Sequence, residues 1–307
     1  MKNIVGIDVG YGITKAYSIT RDRKELSTRF PSVYMETEEE YIPDEQGDYI
    51  HVILNGKNYI IGQKAASNDG VSAFDKYDML RHKLCVITAI ARMYGNFSGT
   101  IAVGLPISDV KKMEGNLKKL KGEYEFVYNG KNCDIVITEV LVYSQGITAF
   151  SELEEYENIK DHIIGIIDIG QKTVDVAWYN YGDEVKSKRH SYDNLGCSFI
   201  YRDIADEVYQ KYDYMIPDYQ VAQRIATRDE IKEIAQRHFQ KFADKIIENL
   251  RRLGWNYAEL DRLVIIGGGS YYIENFIKER ISCTELHQNA TYANACGFFF
   301  KAVKQYG

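Results

Sequence analysis

The stretch GIDVGYGITK, residues 6–15, is written a second time in altered form as GIIDIGQKTVD, residues 165–175. Superposing the copies sets Asp8 on Asp168 and Gly10 on Gly170, with β-branched residues on both sides of each aspartate. A carboxylate at the end of a buried strand is costly to leave without a partner. A glycine two residues later permits a turn whose backbone N–H groups point at an anion. Two such turns can hold a polyphosphate, with Asp8 and Asp168 binding Mg²⁺ through its waters. One copy alone reads equally well as a tight β-turn. Two copies, with the third glycine cluster Gly267-Gly268-Gly269-Ser270 after the apolar run 263–266, favour the phosphate reading. Glycines there let the backbone pass close to a flat ligand and leave helix N–H groups available.

Outward from these blocks, 307 residues with 45% hydrophobic content suffice for two domains with separate cores. The net charge of -6 argues against a non-specific polyanion binder, so no direct nucleic-acid partner is expected. The five cysteines stand singly, without CxxC, and the six histidines show no ligand spacing, which points to a reducing compartment. No apolar run approaches the ~20 residues of a bilayer span, and residues 1–3 run straight into a strand. The expectation is a cytoplasmic protein with no membrane partner.

Residues 4–19 read as two strands joined at Gly10-Tyr11-Gly12. Asn55-Gly56 and Asn129-Gly130 each mark a hairpin, the first expected at the surface and the second as solvated scaffold. The breaker-free run 76–94 places Leu80, Leu84, Ile87, Ala91 and Tyr94 on one helical face. A second helix is expected at 150–160 and a long one at 227–254, the latter opened by a Thr227/Glu230 capping box and closed by Gly254. Twenty-five tyrosines, among them Tyr41, Tyr49, Tyr212, Tyr214, Tyr271 and Tyr272 in expected surface or turn regions, suggest protein interfaces. They equally suit half-buried sites.

The order DxGxGxxK (Asp8, Gly10, Gly12, Lys15), VYSQG (142–146), DIGxxTxD (Asp168, Gly170, Thr173, Asp175), IIGGGS (265–270) and NACG (294–297) resembles the phosphate 1, connect 1, phosphate 2, adenosine and connect 2 motifs of the actin, heat-shock chaperone and sugar kinase superfamily. The likeness spans nearly the whole chain. With GLP (104–106) and NLGCSFI (194–200) it is most similar to the ParM-like bacterial actins that segregate plasmids. The resemblance implies an α/β actin-like ATPase fold: two RNase H-like domains flanking a nucleotide cleft, residues 1–159 with 287–307 as domain I and 160–286 as domain II. The stretch between Gly196 and Gly267 looks short for subdomain IIB of that fold.

Carried over by position, the resemblance implies that Asp8 and Asp168 face magnesium-bound phosphates, that Gly10, Tyr11 and Gly12 wrap the β-phosphate, and that Lys15 offers a point charge. It extends nucleotide contact to Gly170, Gln171, Lys172, Thr173 and Gly196, and to Gly267, Gly268, Gly269 and Ser270. Gln145 falls where relatives orient the attacking water; as a glutamine it positions rather than deprotonates. Ser144 stands where many relatives carry proline.

The activity this implies is ATP hydrolysis (GTP as the other candidate nucleotide) coupled to assembly and disassembly of dynamic filaments, with a DNA-binding adaptor on a plasmid centromere as partner. The alternative on the same fold is a small-molecule kinase or phosphatase acting on a sugar or acyl group. It needs an acceptor-side aspartate base, and no further aspartate motif of that type stands out.

Overall fold

Each copy of the repeated block folds into the hairpin that founds a sheet. The structure, a computed structural model, describes residues 3–38, 49–68, 78–156 and 159–306. The chain divides into two units, Met1–Glu155 with Tyr292–Gly307, and Tyr156–Thr291.

The strands of the first unit are β1 (Asn3–Val9), β2 (Ile13–Ile19), β3 (Glu25–Pro31), β4 (Tyr34–Thr37), β5 (Ile50–Leu54), β6 (Lys57–Ile61), β7 (Phe97–Leu105), β8 (Gly122–Tyr128) and β9 (Lys131–Ser144). Among the described residues they form a nine-stranded sheet in the order β3-β2-β1-β7-β9-β8-β5-β6-β4, with β1, β7 and β9 mutually parallel. Its helices are α1 (Gln63–Ser67), α2 (Met79–Tyr94), α3 (Val110–Lys118), α4 (Phe150–Tyr156) and a final one, Ala293–Tyr306. The two-residue period of β1 sorts its side chains between two layers. Val5, Ile7 and Val9 join the cluster that contains α2, while Ile4 joins Phe298, Phe299 and Phe300 of the final helix. Gly6 is the point of closest approach, since a Cβ there would overlap the Ala295 carbonyl.

The second unit repeats the scheme with β10 (Ile163–Ile169), β11 (Thr173–Asn180), β12 (Asp183–Glu184), β13 (His190–Asp193), β14 (Arg262–Ile266) and β15 (Thr284–Leu286). The order is β12-β11-β10-β14-β15, with β13 also on β11, and β10, β14 and β15 are parallel. In both units an antiparallel hairpin is thus extended by two parallel strands from its first member. Helices α5 (Cys197–Tyr212), α6 (Asp218–Thr227), α7 (Asp229–Arg252) and α8 (Ser270–Lys278) fill the remainder, and the final helix of the first unit is α9. Trp178, fully buried, meets Trp255 edge to face at 5.1 Å and carries the Lys188 ammonium 3.7 Å from its ring centroid. No helix among the described residues is long and apolar enough to cross a membrane.

Several expectations change. The Asn55-Gly56 hairpin has the positive φ values of a type I′ turn, 53° and 75°, but is no surface appendage. Its strands lie inside the sheet between β8 and β4, with Ile50, Val52, Leu54, Tyr59, Ile60 and Ile61 all buried. Thr227 does not cap α7: it ends α6, and its hydroxyl donates back to the Gln223 carbonyl at 3.1 Å. The N-cap is Arg228, without a side-chain cap bond, and Asp229 and Glu230 supply negative charge to the first turn instead. Helix α4 ends at Tyr156, and the expected helix start at 76–77 lies outside the described residues. Tyr212, Tyr214 and Tyr271 are exposed, whereas Tyr272 is half-buried and stacks on Phe239 at 5.0 Å, and Tyr49 stacks on His51. Tyr41 lies outside the described residues.

Asp78 caps α2, accepting from the N–H groups of Leu80 and Arg81, and behind it His82 donates from Nδ1 to the Asp78 carbonyl. Burial, with the neighbouring Arg81 charge, drives the His82 pKa down to about 4. The folded value lies below the unfolded one, so this contribution is complete above pH 6.5 and is lost as pH falls towards 4. By pH 5 the loss amounts to about 2 kcal/mol. Urea midpoints measured at pH 7 and pH 5 are expected to differ accordingly, and to differ less in His82→Gln.

Candidate functional site

The two hairpin tips are built alike. At the first, Gly10 turns so that a Cβ would come 2.8 Å from the Ile13 carbonyl; at the second, Gly170 stands 3.1 Å from that of Thr173. The cross-strand register pairs Asp8 with Lys15 and Asp168 with Asp175, the same place in each ladder. Asp8 and Asp168 are 2% and 5% exposed, so each strand carries a buried carboxylate at its penultimate residue.

At the first tip, Asp8 is held through both oxygens. The Gln145 Nε2 donates to Oδ1 at 2.7 Å, and the Lys15 ammonium approaches Oδ2 at 3.4 Å. Gln145 reaches Asp8 because it follows β9 directly and its N–H donates to the Leu105 carbonyl at the end of β7. The next residue, Gly146, has φ 71° and donates its N–H to Asn294 Oδ1 at 2.9 Å. Gly297 faces the Thr148 carbonyl with no room for a Cβ. The Asn294-to-Gly297 segment of α9 therefore braces the Gln145 turn. Tyr11 and Gly12 are half-buried, and the Gly12 carbonyl accepts from the Ser32 N–H. Beneath the tip, Arg81 Nη1 donates to the Gly10 carbonyl at 3.3 Å.

At the second tip, Gln171 is exposed, Lys172 half-buried and Thr173 buried, its hydroxyl donating to Asp175 Oδ2 at 3.1 Å. The start of α5 is sealed onto the turn: the N–H groups of Cys197 and Ser198 donate to the Gly170 and Gln171 carbonyls at 3.1 and 2.9 Å. Gly196 allows this, since a Cβ there would stand 2.6 Å from the Gln171 and Lys172 backbone. Gly196 also borders a groove of about 160 Å³ lined by Phe199, His238, Lys241 and Lys245. Burial pushes the Cys197 thiol up to about 12, with the nearby Asp168 charge adding to it, so it is no nucleophile at neutral pH.

The glycine cluster divides by what its neighbours demand. Gly267, at φ 90°, packs against Asp168 and Ile169, and Gly269 against the Cys197 sulfur. Ser270 is fully buried and spends its hydroxyl on the Gly267 carbonyl at 2.6 Å, so it closes the turn from within. Gly268 alone is exposed and faces open space. Its smallness is not demanded by the packing of its own unit.

Among the described residues no group of three or more His, Cys, Asp or Glu side chains could cage a metal. Each unit instead offers one buried carboxylate at a strand end. That donor set fits Mg²⁺, which keeps several waters and takes one or two carboxylates together with phosphate oxygens. Arg81 and the Asn294 brace were not foreseen as parts of the first tip.

Residues 6–147 match the model of the actin-like protein N-terminal domain, and residues 166–279 that of the archaeal actin homologue MreB-like C-terminal domain. Ta0583, an archaeal actin homologue solved in complex with ADP, matches at 20% identity and TM-score 0.80, covering 99% of this chain and 100% of its own. A 15-stranded ParM filament from Clostridium botulinum matches at 21% and 0.81, covering 99% of both chains. Apo ParM of psk41 matches at 17% and 0.75, covering 99% of this chain and 98% of that one. No curated protein sequence matches the chain.

Proposed function

From an actin-like α/β fold with two sheets, we propose a polymerising ATPase that binds ATP or GTP, forms dynamic filaments and serves plasmid DNA segregation through a DNA-binding adaptor. The observation that carries the nucleotide reading is the repeated tip: the same turn, with a buried carboxylate at the same register, in both units. The ADP complex of the archaeal homologue and the filament of the clostridial ParM support nucleotide binding and self-association as the direction to test. We keep residues 1–159 with 287–307 as domain I and 160–286 as domain II in this proposal, and read α5, α6 and α7 as a small subdomain IIB.

In this reading each unit carries one glycine turn and one carboxylate suited to phosphate and its metal. Bound Mg²⁺ supplies charge neutralisation of the phosphoryl oxygens. Asp8 and Asp168 are the residues that would hold the metal, and Lys15, already beside Asp8, adds a point charge. Gln171, Lys172 and Thr173 present the second turn, and Gly268 gives a flat ligand room. Gln145 is anchored to Asp8 by its amide N–H, which leaves its carbonyl oxygen to accept from the attacking water. A neutral amide orients that water without deprotonating it, so turnover is slow. Gln145→Ala is expected to lower kcat about 100-fold with KM within about threefold, measured by phosphate release.

The experiment that tests the function is light scattering with pelleting, with Mg-ATP, Mg-GTP or no nucleotide, alongside phosphate release. Scattering that rises only with nucleotide and decays as phosphate appears supports the filament. Nucleotide binding without any polymer over a wide concentration range overturns it, and acceptor-dependent phosphate transfer would then establish the small-molecule kinase.

A further inference from the structure

Arg81 is 1% exposed, so its guanidinium is fully inside the first unit. No carboxylate of the described residues lies within ion-pair distance of it, and its Nε has no hydrogen-bond partner among them. Asp78, three residues earlier, is engaged by the Leu80 and Arg81 N–H groups and by the Tyr34 hydroxyl. A buried guanidinium with no carboxylate of the described residues in contact is expensive, and such a cost persists where something else is gained. Its charge is felt nearby, at His82, Tyr34 and Cys85, where the Asp78 carboxylate acts in the opposite sense without touching the guanidinium. Among the described residues the Arg81 side chain donates to the Gly10 carbonyl, at 3.3 Å.

That contact fixes the turn. No described peptide bond is cis, and in a trans peptide the carbonyl and the following N–H point in opposite directions. Drawing the Gly10 carbonyl inward to Arg81 therefore turns the Tyr11 N–H towards the outer side of the tip. The second unit meets the same need by other means. There the equivalent carbonyl, that of Gly170, accepts from the Cys197 N–H at the start of α5, the positive end of a helix. Both tips have a positively polarised donor holding the carbonyl of the same glycine from behind; in one it is a helix terminus, in the other a single side chain.

We propose that Arg81 is a positioning residue for polyphosphate: through the Gly10 carbonyl it sets the first turn in its anion-facing form, and the buried guanidinium carries charge that the bound phosphates offset. The proposal rests on the nucleotide reading above. Because the guanidinium stands in a costly place, its removal is expected to leave folding intact while weakening phosphate binding, the opposite of what a structural arginine does.

The test compares wild type, Arg81→Met and Arg81→Lys by thermal melting and by titration with Mg-ATP, inorganic tripolyphosphate and adenosine. In Arg81→Met, Tm is expected to stay level or rise, and affinity for ATP and tripolyphosphate to fall about 10- to 100-fold, with adenosine unchanged. Arg81→Lys, which keeps the charge and loses the fork, is expected to fall between the two. Unchanged ATP affinity in a folded Arg81→Met overturns the proposal, as does an equal loss for adenosine. Should Arg81→Met not fold, the proposal is likewise overturned if Arg81→Lys and Arg81→Gln bind tripolyphosphate equally. Failure of the wild type itself to bind ATP or tripolyphosphate removes the nucleotide reading and this inference with it, a result distinct from the others.

Discussion

Asp168→Ala is expected to abolish nucleotide turnover, by about a thousandfold or more in phosphate release, while the protein still melts cooperatively. The carboxylate is the penultimate residue of β10 and is 5% exposed, and in the proposed mechanism it would hold the metal that neutralises the phosphoryl group. A metal's charge stabilisation is worth several kcal/mol, and about 4 kcal/mol corresponds to a thousandfold. The fold survives because the core of its unit is built elsewhere, from Ile167, Ile169, Trp178 and the apolar faces of α5, α7 and α8. Normal hydrolysis by a folded Asp168→Ala would refute the role given to the second tip. The Asp8 counterpart is a less clean experiment, since its loss also releases Gln145 and Lys15.

The second large effect is on stability. Gly6→Val is expected to cost more than about 3 kcal/mol, enough to leave much of the protein unfolded at 37 °C if its total stability is ordinary. The Cβ would enter the Ala295 carbonyl and approach the Phe299 N–H to 2.7 Å, and both are helix backbone that no rotamer change can move aside. Relief requires α9 to lift from β1, which opens the cluster of Ile4, Tyr17, Ala102 and Phe298 to Phe300. Gly268→Ala is the matched control, since a Cβ there meets open space, and its denaturant midpoint is expected within about 0.5 kcal/mol of wild type. Chemical denaturation of the two variants side by side decides the matter.

The parts of this architecture that could be read from the sequence are those encoded locally. The hairpins at Gly10, Asn55, Asn129 and Gly170 rest on turn chemistry and a two-residue period, which survive in isolation. Their place in a sheet does not. β5 is interior because β8, more than sixty residues further on, pairs with it, and nothing between Ile50 and Leu54 announces that partner. The long helix was readable from its apolar stripe, but its start was not, because Thr227 had already given its hydroxyl to the preceding helix.

The candidate site divides in the same way. Asp8, Asp168 and the glycines stand in a repeated pattern, so repetition itself singled them out. Arg81 was hidden for a physical reason: every residue from Leu84 to Ala91 is buried, so α2 has no solvent face against which an inward arginine would look out of place. Ser270 illustrates the converse, a residue marked by its motif whose hydroxyl is spent on the Gly267 carbonyl.

One consequence of α9 concerns the order in which the protein can come into being. The second unit is one uninterrupted stretch, Tyr156–Thr291, whereas the first is written in two instalments on either side of it. A chain emerging from the ribosome therefore completes the later unit before the earlier one. Until residues 292–307 follow, the sheet face bearing Ile4, Tyr17 and Ala102 has no lid and Gly146 lacks the Asn294 side chain that accepts from it. The first tip, with Gln145 on Asp8, is thus finished only after the second unit has been made. A nascent molecule carries an open apolar surface, and an unbraced hydrolytic turn, for the whole time its second half is being made.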